Sequence, residues 1–250
     1  MKIAIPSHNR CKMFKEKTYS LLMKHNFKVE DIYVFVSPEC YAEYYVEFHN
    51  IINLVEGKNG ILNQRNYIID YFDEGEMVVE MDDDIDDIVH TIKNVKSVSV
   101  DNLKEIFEES FKLCPDGLWG MNATLTSNNF FANGKDNLGH HQLSIVNSCL
   151  GYYNDKSIKL SVPEKEDFER VILFYLKNKN ILKRGQYGIK TKYWTNKGGL
   201  QDIYDFDKRK EIQLLSANMI MEKYPNHAYM VKRKNGIVDL RLKKNPIKLI

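Results

Sequence analysis

Glu76-Met77-Val78-Val79-Glu80-Met81-Asp82-Asp83-Asp84-Ile85 is the stretch around which the 250-residue chain is read. Val78, Val79 and Met81 make a short apolar run suited to a buried strand, and three aspartates follow without a break. Three carboxylates at one strand end repel one another, and a cation relieves the repulsion. The hard ions Mg²⁺ and Mn²⁺ take carboxylate oxygens and keep positions open for substrate phosphates. In open α/β folds ligands bind outside the carboxyl ends of the strands, where these aspartates fall. The same residues also read as a solvated acidic turn capping the next segment, so the surrounding chain has to decide.

Working outward, Lys2-Ile3-Ala4-Ile5-Pro6 reads as a first strand closed by its proline, with the polar Ser7-His8-Asn9-Arg10 after it. Phe14, Thr18, Leu21, Leu22 and His25 share one helical face. Ile32-Tyr33-Val34-Phe35-Val36 is a near-continuous apolar strand of the kind a covered parallel sheet uses. A helix over Tyr41 to Phe48 and a strand over Ile51 to Val55 follow, the latter closed by Gly57. Asn59 is placed to cap a helix whose Ile61, Leu62, Arg65, Ile68, Ile69 and Phe72 keep a helical period, and Gly75 ends that unit before the aspartate strand. Regular alternation of strand and helix up to the aspartates predicts an α/β domain with a mainly parallel central sheet and right-handed crossovers.

Further on, Asp101 to Cys114 is an amphipathic helix and Leu118-Trp119-Gly120-Met121-Asn122 a strand, with a long Asn-, Gly- and His-rich loop from Asn128 to His141. Ser144 to Tyr153 and Lys159 to Val162 read as extended, and Glu164 to Asn178 as a helix with Phe168, Val171, Ile172 and Tyr175 along its apolar stripe. The tail holds Trp194, a Lys197-Gly198-Gly199 turn, a helix near Phe206 to Lys223, and two short strands near Ala228 to Val231 and Ile237 to Leu242. No internal repeat or low-complexity linker interrupts the chain, which predicts one domain.

Hydrophobic residues make up 43% and aromatic residues 12% of the chain, enough for a real core and too much for disorder. No apolar run approaches the roughly 20 residues of a membrane span. Cys11, Cys40, Cys114 and Cys149 are scattered with no CxxC pair, which points away from a zinc or redox site and toward reduced thiols in a cytoplasmic protein. The net charge of +2 is unevenly placed: residues 183–250 carry 16 basic and 6 acidic side chains, a net +10, and residues 1–182 a net −8. An acidic front with a basic C-terminal extension suggests a polyanionic partner, although charges clustered in sequence need not cluster in space.

Three motifs in order carry a resemblance: Ile5-Pro6-Ser7-His8-Asn9-Arg10 after the first strand, Gly60-Ile61-Leu62-Asn63-Gln64-Arg65-Asn66 opening a helix, and Met81-Asp82-Asp83-Asp84-Ile85 after a strand. Together they resemble the nucleotide-binding half of GT-A-fold glycosyltransferases, with a DxD motif at Asp82 to Asp84. More narrowly, the chain resembles the small phage-encoded glycosyltransferases associated with TET/JBP-type thymine or methylcytosine oxygenases, which act on hydroxymethylated pyrimidines in DNA. The resemblance covers residues 1 to about 90 and thins beyond.

It implies a Rossmann-like GT-A domain with residues 1–90 as the nucleotide-sugar-binding half, 91–182 as the acceptor half and 183–250 as a basic C-terminal part. It implies Mn²⁺ or Mg²⁺ held by Asp82 and Asp84, with His227 as a further ligand. A nucleotide-sugar donor, a UDP-sugar first among them, would meet Pro6, Ser7, Asn9, Arg10, Arg65, Asn66, Asp82 and Asp83. The acceptor would be DNA in a host cytoplasm, with no membrane involved and the oligomeric state left open. Pro163-Glu164-Lys165-Glu166-Asp167-Phe168 resembles the Glu-Asp pair that opens the acceptor-side helix of inverting GT-A enzymes, which makes Asp167 the candidate base and Glu166 its neighbour.

Each of these positions also has a plain structural reading. Arg65 suits an ion pair with a strand-end carboxylate, Asn66 a helix surface, and Glu166 and Asp167 a helix start that favours acids. His227 suits a packed or solvated ring and Trp194 a core position. His140 and His141 read as acceptor-loop residues, because neighbours on an extended chain point to opposite faces. Three other functions stay open: transfer to a glycan or protein acceptor, a metal-dependent nuclease, and a non-catalytic nucleic-acid-binding module.

Overall fold

A computed structural model describes residues 1–92, 96–123, 125, 130, 134–139, 145–192, 198–199, 206–232 and 238–244 of the chain. Strands β1 (Lys2–Ser7), β2 (Ile32–Val36), β3 (Asn53–Glu56) and β4 (Met77–Met81) lie parallel in the order β3-β2-β1-β4. The crossovers between them carry helices α1 (Cys11–Phe14) and α2 (Ser20–Lys24), α3 (Tyr41–Phe48) and α4 (Ile61–Tyr71). A π-helical stretch, Lys15–Tyr19, joins α1 to α2. Alternation along β1 explains why these strands read as continuous apolar runs. Ile3 and Ile5 enter a core with Phe14, Leu22 and Phe107, while Ala4 enters a second core with Ile68, Phe72 and Val171. The sheet is covered on both faces, as a parallel sheet requires.

The sheet continues as β4-β9-β7-β10-β5-β6, made of β5 (Asp87–Ile92), β6 (Lys96–Ser99), β7 (Leu118–Asn122), β9 (Cys149–Tyr153) and β10 (Ile181–Lys190), with β8 (Asn137–Gly139) paired to β10. Strands β5, β8 and β9 run against the others, so most of the ten strands of this sheet among the described residues share one direction. The chain is therefore a mixed α/β, Rossmann-like fold, as its alternating pattern predicts. Helix α5 (Leu103–Leu113) starts at Asn102, whose side chain accepts a bond of 3.1 Å from the Glu105 backbone N–H. Helix α6 (Glu166–Asn178) covers the second core. Helix α7 (Phe206–Lys223) and the hairpin β11 (Ala228–Lys232) and β12 (Val238–Leu242) then pack on α6 through Val162, Ile172, Ala217, Ile220 and Leu240.

Local expectations need correction in four places. The N-cap of α4 is Gly60, at φ +80°, and not Asn59. Asp87 opens β5, one arm of a hairpin that the sequence reading did not anticipate. Lys159 to Val162 form no strand; Asn66 holds this stretch by bonding both the N–H and the C=O of Leu160, each at 2.9 Å. Residue 183 lies inside β10, in the interior of the sheet. Arg184 there is fully buried, bonded to Ser110 and paired with Glu109 and Asp136, so part of the basic C-terminal charge serves the fold. His140, His141, Trp194, Lys197, Arg233 and Lys234 lie outside the described residues.

Candidate functional site

One cleft of about 390 Å³ lies at the carboxyl ends of the parallel strands, within the size range of small-ligand sites. Its walls are the β1 loop with Pro6, Ser7, His8 and Arg10; the start of α4 with Gly60, Gln64 and Arg65; the turn Asp82–Asp83–Asp84; the approach to β9 with Asn147 and Ser148; the start of α6; and Arg209 and Gln213 of α7. Two groups of carboxylates that stand far apart in sequence, Asp82 to Asp84 and Glu166 to Asp167, thus face one space.

The aspartate turn is held from below. Thr18, fully buried in the π-helical stretch, donates to the Asp82 carbonyl at 2.8 Å and accepts from the Ile85 N–H at 2.9 Å. The Thr191 hydroxyl donates to the Asp84 carbonyl at 2.7 Å. The extra residue of a π-turn rotates the chain beyond it, and such turns recur at functional sites; here one aims Thr18 at the turn.

Each aspartate has a different surrounding. The Asp82 carboxylate meets Arg65 Nη2 at 3.1 Å. Burial raises its pKa against the pull of Arg65. Asp83 is buried, accepts from the Ser7 hydroxyl, and pairs with Arg10 Nη1 at 2.9 Å. Burial pushes its pKa up to about 6 despite Arg10 and Ser7. The same Arg10 nitrogen lies 3.2 Å from Asp84 Oδ2.

Behind Asp82, the fully buried Glu80 accepts from Arg65 Nη1 at 2.6 Å, from Arg170 Nη1 at 2.7 Å and from the Tyr152 hydroxyl. Burial works to raise the Glu80 pKa, but Arg170 and Arg65 outweigh it and hold the group below its usual range. Arg65 therefore spans a buried carboxylate and a cleft carboxylate, combining the ion-pair reading of its sequence position with a place on the cleft wall.

At the start of α6, Lys165 adopts a left-handed conformation, φ +60°, and turns the chain so that Glu166 and Asp167 face the cleft. Glu166 is buried and accepts from Asn147 at 2.8 Å. Burial raises its pKa against Arg65 and Arg170. Asp167 bonds the Phe168 N–H at 2.9 Å, and burial followed by the neighbouring Glu166 pushes it up to about 7. The next wall is an ion pair of Glu164 with Arg209 Nε at 3.1 Å, joined by Gln213 at 2.9 Å.

Of the expected site residues, the structure brings Pro6, Ser7, Arg10, Arg65, Asp82, Asp83, Asp84, Glu166 and Asp167 to this cleft. Asn66 is turned away from it, because both ends of its amide are spent on Leu160. Asn9, at φ +53°, is not part of the lining; it shapes the turn that presents Arg10. His227 is not with the aspartates. Its ring meets Tyr175 at 6.0 Å, and Tyr175 lies nine residues along α6 from Glu166, about 13 Å at helical rise. Burial and the nearby Lys179 and Lys243 lower the His227 pKa. Sequence reasoning missed Thr18, Glu80, Arg170 and Arg209. Glu80 alone carried a signal, as a charge inside an otherwise apolar strand.

Among the described residues no three His, Cys, Asp or Glu side chains form a group able to hold a metal unaided. Mg²⁺ and Mn²⁺ bound beside phosphates do not need one: one or two carboxylates suffice when the substrate supplies the remaining oxygens. Asp82 and Asp84, both at the cleft, fit that donor set.

No protein-family model and no curated protein sequence matches the chain. Three solved structures share parts of its fold. The glycosyltransferase GlyE of Streptococcus pneumoniae is 17% identical with a TM-score of 0.36, covering 62% of this chain and 34% of its own. The bifunctional IspDF of Campylobacter jejuni is 12% identical at a TM-score of 0.37, covering 69% of this chain and 47% of its own. The 4-diphosphocytidyl-2C-methyl-D-erythritol synthase of Anaerococcus prevotii is 9% identical at 0.42, covering 87% of this chain and 95% of its own. The chain thus spans about a third and a half of the first two. At such low similarity the names of these proteins carry no argument about its activity.

Proposed function

We propose that the chain is a metal-dependent, inverting glycosyltransferase that moves a sugar from a nucleotide-diphosphate donor to a hydroxyl acceptor. The observation behind this reading is the convergence, in one cleft, of a strand-end aspartate cluster and a helix-start Glu-Asp pair of raised proton affinity. The first suits a donor diphosphate and its cation, the second an acceptor that must lose a proton. A nuclease or a simple binding module accounts for the aspartates or the basic charge but leaves Asp167 without a task.

Asp82 and Asp84 would hold the divalent ion, which supplies charge neutralisation for the departing diphosphate. The nucleoside would lie between the β1 loop and the start of α4, where Pro6, His8, Ser37 and Gly60 line the cleft. Asp167 takes the acceptor hydroxyl's proton as its oxygen bonds to the anomeric carbon; the bond from that carbon to the diphosphate oxygen breaks, and the diphosphate keeps the electron pair. A carboxylate with a raised pKa is a better proton acceptor than an ordinary one. Glu166, fixed by Asn147, remains the anionic neighbour. The hydroxymethyl group of a modified pyrimidine in DNA is the acceptor this reading favours, because exposed Lys208 and Lys210 of α7 flank the cleft residue Arg209. Basic side chains engage phosphates without reading sequence.

The test incubates the protein and Mn²⁺ with nucleotide sugars and hydroxymethylated DNA, followed by mass spectrometry of the digested nucleosides. A hexose or pentose adduct that disappears with EDTA and with Asp84→Asn supports the reading. Adducts only on a glycan or protein acceptor would remove the DNA part, and nicked plasmid without any adduct would replace it with nuclease chemistry.

A further inference from the structure

We propose that the wall beside Asp167 is a nucleobase pocket, in which the acceptor pyrimidine leaves its helix, stacks on Phe168 and is held at its pairing edge by Gln213. The inference rests on the DNA-acceptor reading given above and deepens it, from a hydroxymethyl group near the cleft to an extruded base inside it.

A general base has to lie within hydrogen-bond reach of the hydroxyl it serves. The molecule that carries this hydroxyl therefore sits among the groups around Asp167. Phe168 follows it in the first turn of α6, donates its N–H to the Asp167 carboxylate at 2.9 Å, and lines the cleft. The Phe168 ring packs against the cluster that holds Ala217 and Ile220 of α7, yet the residue is only half-buried. The ring is thus braced by α7 and exposes part of its surface to the cleft. Lys165 Nζ stands 5.8 Å from the ring centroid, near the limit of a cation–π contact, an attachment loose enough to yield to a base.

Gln213 lies one turn before Ala217 on α7 and lines the same cleft, so it shares this wall with Phe168. Its Nε2 donates to the Glu164 carboxylate at 2.9 Å. Glu164 is itself fixed, since its backbone N–H donates to the Ser216 hydroxyl at 3.1 Å and its carboxylate pairs with Arg209. The amide is therefore held in one orientation, with Oε1 turned away from Glu164. A side-chain amide offers a donor and an acceptor together, and the pairing edge of a pyrimidine offers the complementary two.

A ring surface beside a fixed amide matches a flat heteroaromatic ring with a polar edge. Inside a duplex, a base has neighbours on both faces and its pairing edge is occupied, so neither Phe168 nor Gln213 can engage it there. Both contacts require the base outside the stack. The 5-hydroxymethyl carbon lies in the plane of the ring, so stacking fixes the direction in which its hydroxyl is offered to Asp167. The Lys165 ammonium, displaced from the ring, then meets a phosphate of the extruded nucleotide.

The experiment measures transfer by the full chain with Mn²⁺ and the nucleotide sugars of the assay above. The acceptor is 5-hydroxymethylcytosine or 5-hydroxymethyluracil, placed in a matched duplex or in the same duplex opposite an abasic site. The unpaired target should react with a kcat/KM about tenfold higher or more, because its extrusion breaks no base pair. Phe168→Leu should lower kcat/KM on the unpaired target about tenfold, and Phe168→Tyr should retain it, as loss of one stacking ring requires. Gln213→Leu should raise the KM for DNA about tenfold with kcat nearly kept. Thermal unfolding confirms that the variants are folded, and the comparison of the two duplexes needs no variant. Equal kcat/KM on paired and unpaired targets would overturn the extrusion while leaving the DNA acceptor intact. Wild-type activity of a folded Phe168→Leu, or a wild-type KM in Gln213→Leu, would overturn the pocket. Donor hydrolysis without transfer to either DNA would bring down the DNA-acceptor reading and this inference together.

Discussion

Asp167→Asn should lower activity and raise stability, and the opposite signs make it the most discriminating substitution in the cleft. Asp167 is pushed from an ordinary 3.8 up to about 7 by burial and by Glu166. The folded chain therefore keeps a proton that the unfolded chain releases near pH 4. Between those values the native state binds more protons, so this group's contribution to stability falls as pH rises, and the full penalty is present above pH 7. A three-unit shift corresponds to about 4 kcal/mol. Asp167 is only partly buried and shares its proton affinity with Glu166, which brings the recoverable part to on the order of 1–2 kcal/mol. Asparagine never ionises, so at pH 8 the variant should melt about 2–6 °C higher than wild type, and at pH 4 the two should nearly coincide. Turnover should drop about 10²- to 10⁴-fold, the range expected for loss of a general base. In the wild type, kcat/KM should fall about tenfold per pH unit below 7 as the carboxylate is protonated. Calorimetry across pH and a transfer assay across pH read the two arms. A variant that loses stability at pH 8, or a wild-type rate flat from pH 5 to 8, would refute the assignment.

Asp84→Asn should retain the fold and lose Mn²⁺-dependent donor binding, read by calorimetric titration with UDP; binding equal to wild type would exclude Asp84 as a ligand. Glu80→Gln strands Arg65 and Arg170 beside a neutral partner and should cost about 3–5 kcal/mol in a urea titration, the usual loss when a buried pair is broken. Thr18→Val removes both bonds that clamp the aspartate turn and should cost about 1–3 kcal/mol while raising the donor KM. Lys208→Ala with Lys210→Ala should weaken DNA binding and flatten its salt dependence, with donor hydrolysis unchanged; an unaltered salt slope would remove α7 from the DNA surface.

The first half of the fold was legible because each strand there is apolar on both faces and each helix keeps its stripe, so period and length agree. β10 escaped notice because Lys183 and Arg184 interrupt its apolar pattern, and only the structure shows Arg184 neutralised by Glu109 and Asp136 in the sheet interior. β5 escaped because it opens on Asp87, directly after an acidic run that masks its apolar alternation. At the site, residue type was legible and convergence was not. Asp84 and Asp167 line one cleft because β9 inserts antiparallel beside β4 and brings Asn147 and Ser148 to it, a pairing no local signal announces. Asn66 and His227 misled for opposite reasons. An asparagine amide satisfies a peptide as well as a ligand, and a histidine's sequence position says nothing of which face of the fold it reaches.

The buried triad behind the cleft explains how two adjacent acids, Glu166 and Asp167, come to differ. Burying Glu80, Arg65 and Arg170 gives little net stability, since such a group can often be replaced by apolar residues without loss. What it fixes is position. Arg65 extends from Glu80 to Asp82, and Arg170 stands one helical turn after Glu166 on α6. Arg170 keeps Nε and Nη2 without a hydrogen-bond partner, so its charge is not fully spent on Glu80. Both arginines act to lower the Glu166 pKa, whereas Asp167 receives help only from Lys165 and the local backbone while the Glu166 charge raises it further. The proton therefore goes to Asp167 and the negative charge stays on Glu166. Two neighbouring carboxylates given different proton affinities by their surroundings are a division of labour between acid–base and electrostatic roles. In the proposed transfer that division would originate at Glu80, a residue outside the cleft lining.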